Sequence, residues 1–171
     1  TTQVVILSFF LAILIGTCIL TLPIAAADGR ATSFVDALFT ATTSVCVTGL
    51  VVVTTATHWS LFGHIVILLL IQIGGLGVVT MMTVIWMALG KKISLSKRML
   101  LEDAFNMDTL KGLVYFLKKV FIGTFAVEGF GAVCFLPVFV PDYGWQTGIW
   151  YSVFHAVSAF CNAGIDIIGN S

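Results

Sequence analysis

The chain has 171 residues, of which 59% are hydrophobic and only 9% are charged. Soluble domains carry about 25% charged residues, so this composition excludes a soluble globular protein and indicates an integral membrane protein in a lipid bilayer. The formal net charge is zero, which gives no electrostatic reason to bind nucleic acid. The four cysteines lack metal-ligand spacing, and no covalent cofactor is expected.

The first element along the chain is an apolar run over residues 4–27. A helix of that length spans a hydrocarbon core of about 30 Å. The run predicts a transmembrane helix that is broken near Pro23.

The next region, between Asp36 and Lys91, contains no Asp, Glu, Lys or Arg. As one helix it would measure about 80 Å, more than twice the membrane core, so it must break. A polar patch at residues 54–60 marks the break. After it, residues 61–90 predict a long tilted helix of about 45 Å, whereas residues 37–50 would reach only about 21 Å.

Basic residues then fix the orientation. Seven of the eight Lys and Arg residues lie between 91 and 119, and the positive-inside rule makes that segment a cytoplasmic connector. If the helix over 61–90 runs inward to this connector, the short segment before it must enter and leave on the outer side. It is predicted to be a re-entrant loop: a helix from about residue 32 to 44, then an extended return.

The second half of the chain repeats the first at an offset of 115 residues. Residues 34–50 read FVDALFTATTSVCVTGL and residues 149–165 read IWYSVFHAVSAFCNAGI. The identical pairs are Phe39 with Phe154, Ala41 with Ala156, Cys46 with Cys161, and Gly49 with Gly164. A second apolar span over 120–140 carries Pro137, as the first carries Pro23.

This pattern predicts an all-α integral membrane protein of repeated helix–pore loop–helix units. The first unit covers 1–90, the connector 91–119, and a partial second unit 120–171. The closing helix of the second unit is missing, so the chain is expected to be part of a longer subunit.

The re-entrant segments favour a cation. The C-terminus of a short helix carries a partial negative charge, and the glycines Gly49 and Gly164 allow backbone carbonyls to turn towards an axis. Rings of carbonyls replace the hydration shell of potassium. A kinked helix with a packing glycine is the alternative interpretation of each segment.

Three stretches carry a resemblance to a known family: TTSVCVTGL (42–50), QIGGLGVVTM (72–81) and AFCNAGIDI (159–167). The chain resembles the Trk/Ktr/HKT superfamily of potassium transport proteins, most closely the Ktr-type membrane subunit. That resemblance implies four repeats around one pore in the plasma membrane, crossed several times by the chain. It also implies a filter for potassium, or for sodium, from these residues: Cys46, Val47, Thr48, Gly49, Cys161, Asn162, Ala163 and Gly164.

The resemblance implies partners as well. Two repeats cannot enclose an ion, so the remaining repeats of the same subunit are expected to complete the pore. Ktr membrane subunits pair into homodimers on a cytosolic nucleotide-binding regulatory ring. Neither potassium against sodium selectivity nor a channel against a sodium-linked transporter is decided by these residues.

Other residues invite separate hypotheses. Glu128 lies in the middle of the third apolar span, where a carboxyl group is usually paired or functional. A hydrogen bond between helices and a role in an ion or proton path are both open for it. The GGLG at 74–77 is expected to serve close helix packing, and His155 to be a packed or hydrogen-bonded side chain.

Two further classes compete with transport. An intramembrane enzyme would need a nucleophile–base pair or a metal motif such as HExxH, and the sequence contains neither, so the chain is not expected to be an enzyme. A non-conducting structural subunit gives no reason for two copies of a re-entrant segment.

Overall fold

The computed structural model describes residues 2–77 and 110–169, and this part of the chain is helical apart from its connections. Its elements are α1 (Thr2–Leu20), α2 (Phe34–Cys46), α3 (Thr55–His58), α4 (Leu61–Gly75), α5 (Leu110–Tyr143) and α6 (Trp145–Phe160). The expected all-α class is therefore confirmed for these residues.

The first helix ends three residues before Pro23, in agreement with the predicted break. The chain then turns through residues 21–33, which are hydrogen-bonded to the residue that precedes α4. The N–H of Ser60 donates to the carbonyl of Ala25 at 2.8 Å, and the hydroxyl of Ser60 donates to the carbonyl of Ile24 at 2.7 Å. The same hydroxyl caps α4 by accepting the N–H of Gly63.

The helix α2 begins and ends two residues later than the sequence predicted, over Phe34–Cys46 instead of 32–44. It packs against both α1 and α4. Small residues on its inner face, Ala37 and Ala41, are completely buried and permit this close packing.

The helix α4 ends earlier than expected. The sequence predicted one helix over 61–90, but α4 ends at Gly75 and the chain turns at Gly77, whose φ is +82°. A positive φ cannot continue a right-handed helix, which explains the correction. Residues 78–90 lie outside the described residues, as does 91–109 of the predicted connector.

The helix α5 is longer than the apolar span that predicted it. It starts at Leu110, inside the predicted connector, and continues through Pro137 and Pro141 to Tyr143. Both apolar spans carry a proline, but α1 ends before Pro23 whereas α5 continues through Pro137. By length and composition, residues Lys118–Tyr143 form the one described helix that could cross a membrane alone.

The core joins the two halves of the described chain. Buried side chains from α1, α2, α4 and α6 meet in one cluster that includes Leu20, Val45, Ile67, Ile71 and Phe154. On the outside, α1 and α5 expose large apolar side chains such as Phe10 and Phe130. Exposed apolar helix faces suit contact with lipid.

Candidate functional site

The first candidate segment follows α2 and is called loop 1, residues 47–50. Val47 takes left-handed dihedral angles, φ 54° and ψ 43°, and the N–H of Thr48 donates back to the carbonyl of Thr43 at 3.1 Å. Gly49 is also left-handed, with φ +74°. Loop 1 thus leaves the helix through two left-handed residues separated by one other.

The second candidate segment follows α6 and is called loop 2, residues 162–165. Asn162 has φ 58° and Gly164 has φ +66°, and the N–H of Ala163 donates back to the carbonyl of Ser158 at 2.7 Å. Each feature lies 115 residues after its counterpart in loop 1. The internal repeat seen in the sequence is therefore present in the backbone.

The two loops meet at their glycines. A β-carbon added at Gly49 would lie 2.7 Å from the carbonyl oxygen of Ala163 and 3.6 Å from the Cα of Gly164. The structure thus brings together the residue sets named from both repeats. Gly49 leaves room for the Ala163 carbonyl, which points towards it.

Exposure differs among the eight sequence-predicted residues. Cys46, Thr48, Asn162 and Gly164 are exposed, whereas Val47, Gly49 and Cys161 are partly buried. Ala163 has no exposed surface in this chain, so its carbonyl contacts protein here. Sequence reasoning treated the eight residues alike and did not anticipate this difference.

A cavity of about 500 Å³ opens beside the loops. Its lining combines both glycines with the segment that follows loop 1: Gly49, Val51, Val52, Val53, Thr54, Thr55, Ala56, Gly164 and Asp166. The carboxylate of Asp166 accepts the N–H of Ile168 at 3.1 Å. The cavity therefore brings open space to the two glycines.

The end of α4 packs closely against the residues just before both loops. A β-carbon at Gly74 would collide with the carbonyl oxygen of Val45, in the last turn of α2. A β-carbon at Gly75 would collide with the sulfur of Cys161, the residue between α6 and loop 2. The close packing predicted for the GGLG motif is therefore present at its first two glycines.

The side chain of Glu128 is buried between helices, with 5% of its surface exposed. The amide nitrogen of Gln72 on α4 donates to its carboxyl group at 2.8 Å. Of the two open hypotheses for Glu128, the hydrogen bond between helices thus has a partner in the structure. This hydrogen bond joins the first half of the chain to the second, and Gln72 lies two residues before Gly74.

His155 on α6 packs among aromatic rings, as predicted for a packed side chain. Its Nδ1 lies 2.7 Å from the carbonyl of Tyr151, and its ring lies 5.1 Å from that of Phe139. Within residues 2–77 and 110–169, no group of three or more His, Cys, Asp or Glu side chains could hold a metal ion.

Two residues that the sequence analysis passed over also touch the loops. The hydroxyl of Thr43 accepts the N–H of Leu50 at 3.0 Å, and the hydroxyl of Ser158 donates to the carbonyl of Ile165 at 2.7 Å. A signal was available, because Thr43 and Ser158 are both hydroxyl residues at the repeat offset of 115.

These observations define an all-helical protein with a duplicated helix–loop element whose two copies meet. The chain belongs to the family of TrkH cation transport proteins, whose family model matches residues 1–171. Transport, and with it residence in a membrane, is what this family is known for, and the match confirms the resemblance drawn from the three sequence stretches.

Individual relatives agree with the family. The chain is 44% identical over 169 residues to the potassium/sodium uptake protein NtpJ of Enterococcus hirae, covering 99% of this chain and 38% of the relative. It is 46% identical over 165 residues to the Ktr system potassium uptake protein B of Bacillus subtilis, covering 96% of this chain and 37% of the relative. For the protein of that name from Vibrio alginolyticus, the identity is 38%, over 99% of this chain and 37% of the relative. The chain thus spans under two fifths of the length of these relatives.

Proposed function

We propose that this chain contributes to a potassium transport path across the plasma membrane, through a filter lined by backbone carbonyls from residues 46–49 and 161–164, among which the carbonyl of Ala163 faces Gly49 instead of open space. The family is one of cation transport proteins, and the similar proteins above are named for potassium uptake. We assign potassium to this chain by that similarity.

The single observation that carries the proposal is the matched backbone of the two loops. In each loop, two of three successive residues have a positive φ instead of the usual negative one. These are residues 47 and 49 in loop 1, and 162 and 164 in loop 2. Such residues let successive carbonyls face one axis instead of alternating sides. Carbonyl dipoles, together with the negative ends of α2 and α6, favour a monovalent cation there.

The lengths of the two short helices are compatible with re-entrant segments. Helix α2 has 13 residues and α6 has 16, which correspond to about 20 and 24 Å. Both are shorter than a hydrocarbon core of about 30 Å. A chain that crosses several times would then have residues 28–36, 51–60 and 141–148 outside, and the basic segment 91–119 in the cytoplasm.

That topology has its own test. A cysteine introduced at position 97 should resist an impermeant thiol reagent applied to intact cells and react after the cells are opened. A cysteine at position 29, in a turn where a side chain meets nothing within 4 Å, should react in intact cells. Labelling of position 97 from outside would contradict the assigned orientation.

Two loops form only part of a ring around an ion. The remaining repeats of the same subunit therefore complete the filter in this proposal, and the subunit pairs into a homodimer on a cytosolic nucleotide-binding ring. The name of the Bacillus subtilis relative, a protein of a Ktr system, supports a protein that works with other components. The name of NtpJ, which includes sodium, supports sodium as a second ion, either carried or linked to potassium uptake.

The deciding experiment replaces each loop glycine by serine in the full-length gene product. Gly49→Ser and Gly164→Ser should weaken the discrimination of potassium over sodium during uptake by potassium-transport-deficient cells. Left-handed strain of about 1–2 kcal/mol corresponds to about a fivefold to thirtyfold change if it is felt at the filter.

Gly29 provides a matched control. It also has a positive φ, +69°, but no atom of either loop, or of any residue other than its chain neighbours, lies within 4 Å of an added β-carbon. Gly29→Ser should therefore cause similar local strain without altering selectivity. Unchanged potassium affinity and sodium rejection in both loop variants, at normal membrane abundance, would refute the filter.

A further inference from the structure

We propose that Thr43 and Ser158 are positioning residues, whose hydroxyl groups hold loop 1 and loop 2 in the shape that selects the ion. This inference rests on the proposed filter function, since it assigns to these hydroxyls the task of fixing that filter. Neither residue needs to touch the ion.

The hydrogen bonds of these two residues differ from those of their neighbours. Four other hydroxyl side chains on the same helices donate to the carbonyl four residues earlier, within their own helix; these are Thr40, Thr42, Ser44 and Ser152. Thr43 and Ser158 instead bond forward to the residue seven positions later, beyond the end of the helix. A forward bond restrains the loop, whereas a backward bond only restrains the side chain.

In loop 1, Thr43 makes two side-chain contacts. Its hydroxyl accepts the N–H of Leu50 at 3.0 Å and lies 2.7 Å from the hydroxyl of Thr48. Its own carbonyl accepts the N–H of Thr48 at 3.1 Å. Thr43 therefore holds both sides of Gly49, and it is itself buried, with 3% of its surface exposed.

Before loop 2, Ser158 occupies the position equivalent to Thr43, but its hydroxyl donates the forward hydrogen bond instead of accepting it. Its hydroxyl donates to the carbonyl of Ile165 at 2.7 Å, and its carbonyl accepts the N–H of Ala163. Ser158 is also buried, with 4% of its surface exposed. The carbonyl of Ile165 is thereby turned towards α6, so Ser158 sets where the row of carbonyls in loop 2 ends.

The forward hydrogen bonds of Thr43 and Ser158 each enclose the two left-handed residues of the loop that follows. Without a partner, the N–H of Leu50 or the carbonyl of Ile165 would have to find another bond, and the loop would shift to supply it. Because the hydroxyl of Thr43 has two partners and that of Ser158 has one, removal of the Thr43 hydroxyl should change the loop more.

The test compares nearly isosteric variants in the full-length gene product, expressed in potassium-transport-deficient cells. The measurement is the ratio of the half-saturating potassium concentration to the sodium concentration that inhibits by half, with membrane abundance measured in parallel. Thr43→Val should reduce discrimination about twofold to tenfold, the change expected when one or two hydrogen bonds are lost at the filter. Ser158→Ala should reduce it less.

Conservative and remote variants separate positioning from general stability. Thr43→Ser and Ser158→Thr retain the hydroxyls and should keep nearly native discrimination. Thr40→Val and Ser152→Ala remove buried hydroxyls that bond within their helices, and should leave the ratio unchanged even if abundance falls.

The possible outcomes are distinct. Native discrimination in Thr43→Val and Ser158→Ala, beside altered discrimination in Gly49→Ser, would overturn the positioning role and leave the filter in place. Native discrimination in all three would refute the proposed function itself. If Thr43→Val fails to reach the membrane, Ser158→Ala, which removes a single oxygen atom, decides the question alone.

Discussion

The two loops have the same backbone although the chain reaches them differently. Residues 21–33 lead from α1 to α2 through a long connection, whereas Gly144 alone separates α5 from α6. The entry helices also differ, because α1 ends before its proline and α5 continues through two. Yet both loops place left-handed residues at equivalent positions. Loop shape is therefore set locally, by the end of each short helix and the residues after it.

The long and short entries are stabilised by different contacts. In the first half, the connection is held by backbone pairing, including the bond from the N–H of Ala27 to the carbonyl of His58 at 2.9 Å. In the second half, α6 packs directly on α5, and a β-carbon at Gly148 would lie 2.7 Å from the Cα of Val140. Each arrangement fixes a short helix, by hydrogen bonds in one case and by close packing in the other.

The largest expected effect is on potassium uptake, and it differs between alanine substitutions at the two loop glycines. Gly49→Ala adds left-handed strain and also places a β-carbon 2.7 Å from the carbonyl oxygen of Ala163. Gly164→Ala adds the strain alone, because its β-carbon would meet only the Cα of Gly49, at 3.7 Å. With about 1–2 kcal/mol for strain and a further 1–3 for overpacking, Gly49→Ala should reduce potassium uptake about a hundredfold and Gly164→Ala about tenfold.

Potassium uptake at equal membrane abundance measures this difference. Equal losses in the two variants would show that the contact between Gly49 and Ala163 has no influence, and that the loops act as equivalent copies. A larger loss for Gly164→Ala would contradict the packing of the two loops described above.

The next effect concerns the glycines of α4 that support the loops. A β-carbon at Gly74 meets only backbone atoms of α2, whereas one at Gly75 meets the sulfur and Cβ of Cys161, of which the sulfur can rotate away. Gly74→Ala should therefore destabilise the protein by about 2–3 kcal/mol, and Gly75→Ala by less. Thermal unfolding of the purified protein in detergent, followed by the loss of monodisperse material, should rank the two variants. The reverse ranking would show that the contact between Gly75 and Cys161 is the more rigid of the two.

A smaller effect is expected for the bond between Gln72 and Glu128, which joins the two halves. Glu128→Gln keeps a hydrogen-bonding group of the same shape and should retain uptake, whereas Glu128→Lys should impair assembly because it buries an unpaired charge. Gln72→Leu should cost about 1–2 kcal/mol and should add little to Glu128→Leu, since both remove the same bond. Loss of uptake in Glu128→Gln at normal abundance would favour the ion or proton path left open by the sequence.

The sequence predicted the helical class, the repeat at 115 residues and the glycines where the loops meet. These follow from composition and from residue identities at fixed spacing. It failed on the lengths of two helices: α4 ends at Gly75, before the left-handed Gly77, and α5 starts at Leu110 and ends at Tyr143 instead of covering 120–140. Helix periodicity alone indicates neither feature.

The site was predicted less completely than the fold. Identity between repeats pointed to Gly49 and Gly164, but it passed over Thr43 and Ser158, which differ by a methyl group and share only a hydroxyl. It also could not reveal that Ala163 is buried, because this depends on how loop 1 packs against loop 2. The partner of Glu128 likewise lies 56 residues away in sequence, beyond any local pattern.

The smallest expected effect tests the left-handed residues before the glycines. Val47 and Asn162 occupy the same conformation, but asparagine adopts it readily and a β-branched residue rarely does. Val47 compensates by packing against the buried core, whereas Asn162 is exposed. Asn162→Val should therefore add strain without added burial and lower stability by about 1 kcal/mol, whereas Asn162→Gly, which removes the β-carbon, should change it by a few tenths. Thermal unfolding in detergent can resolve the pair, and a stability for Asn162→Val equal to that of the native protein would mean that loop 2 tolerates a β-branched residue as loop 1 does.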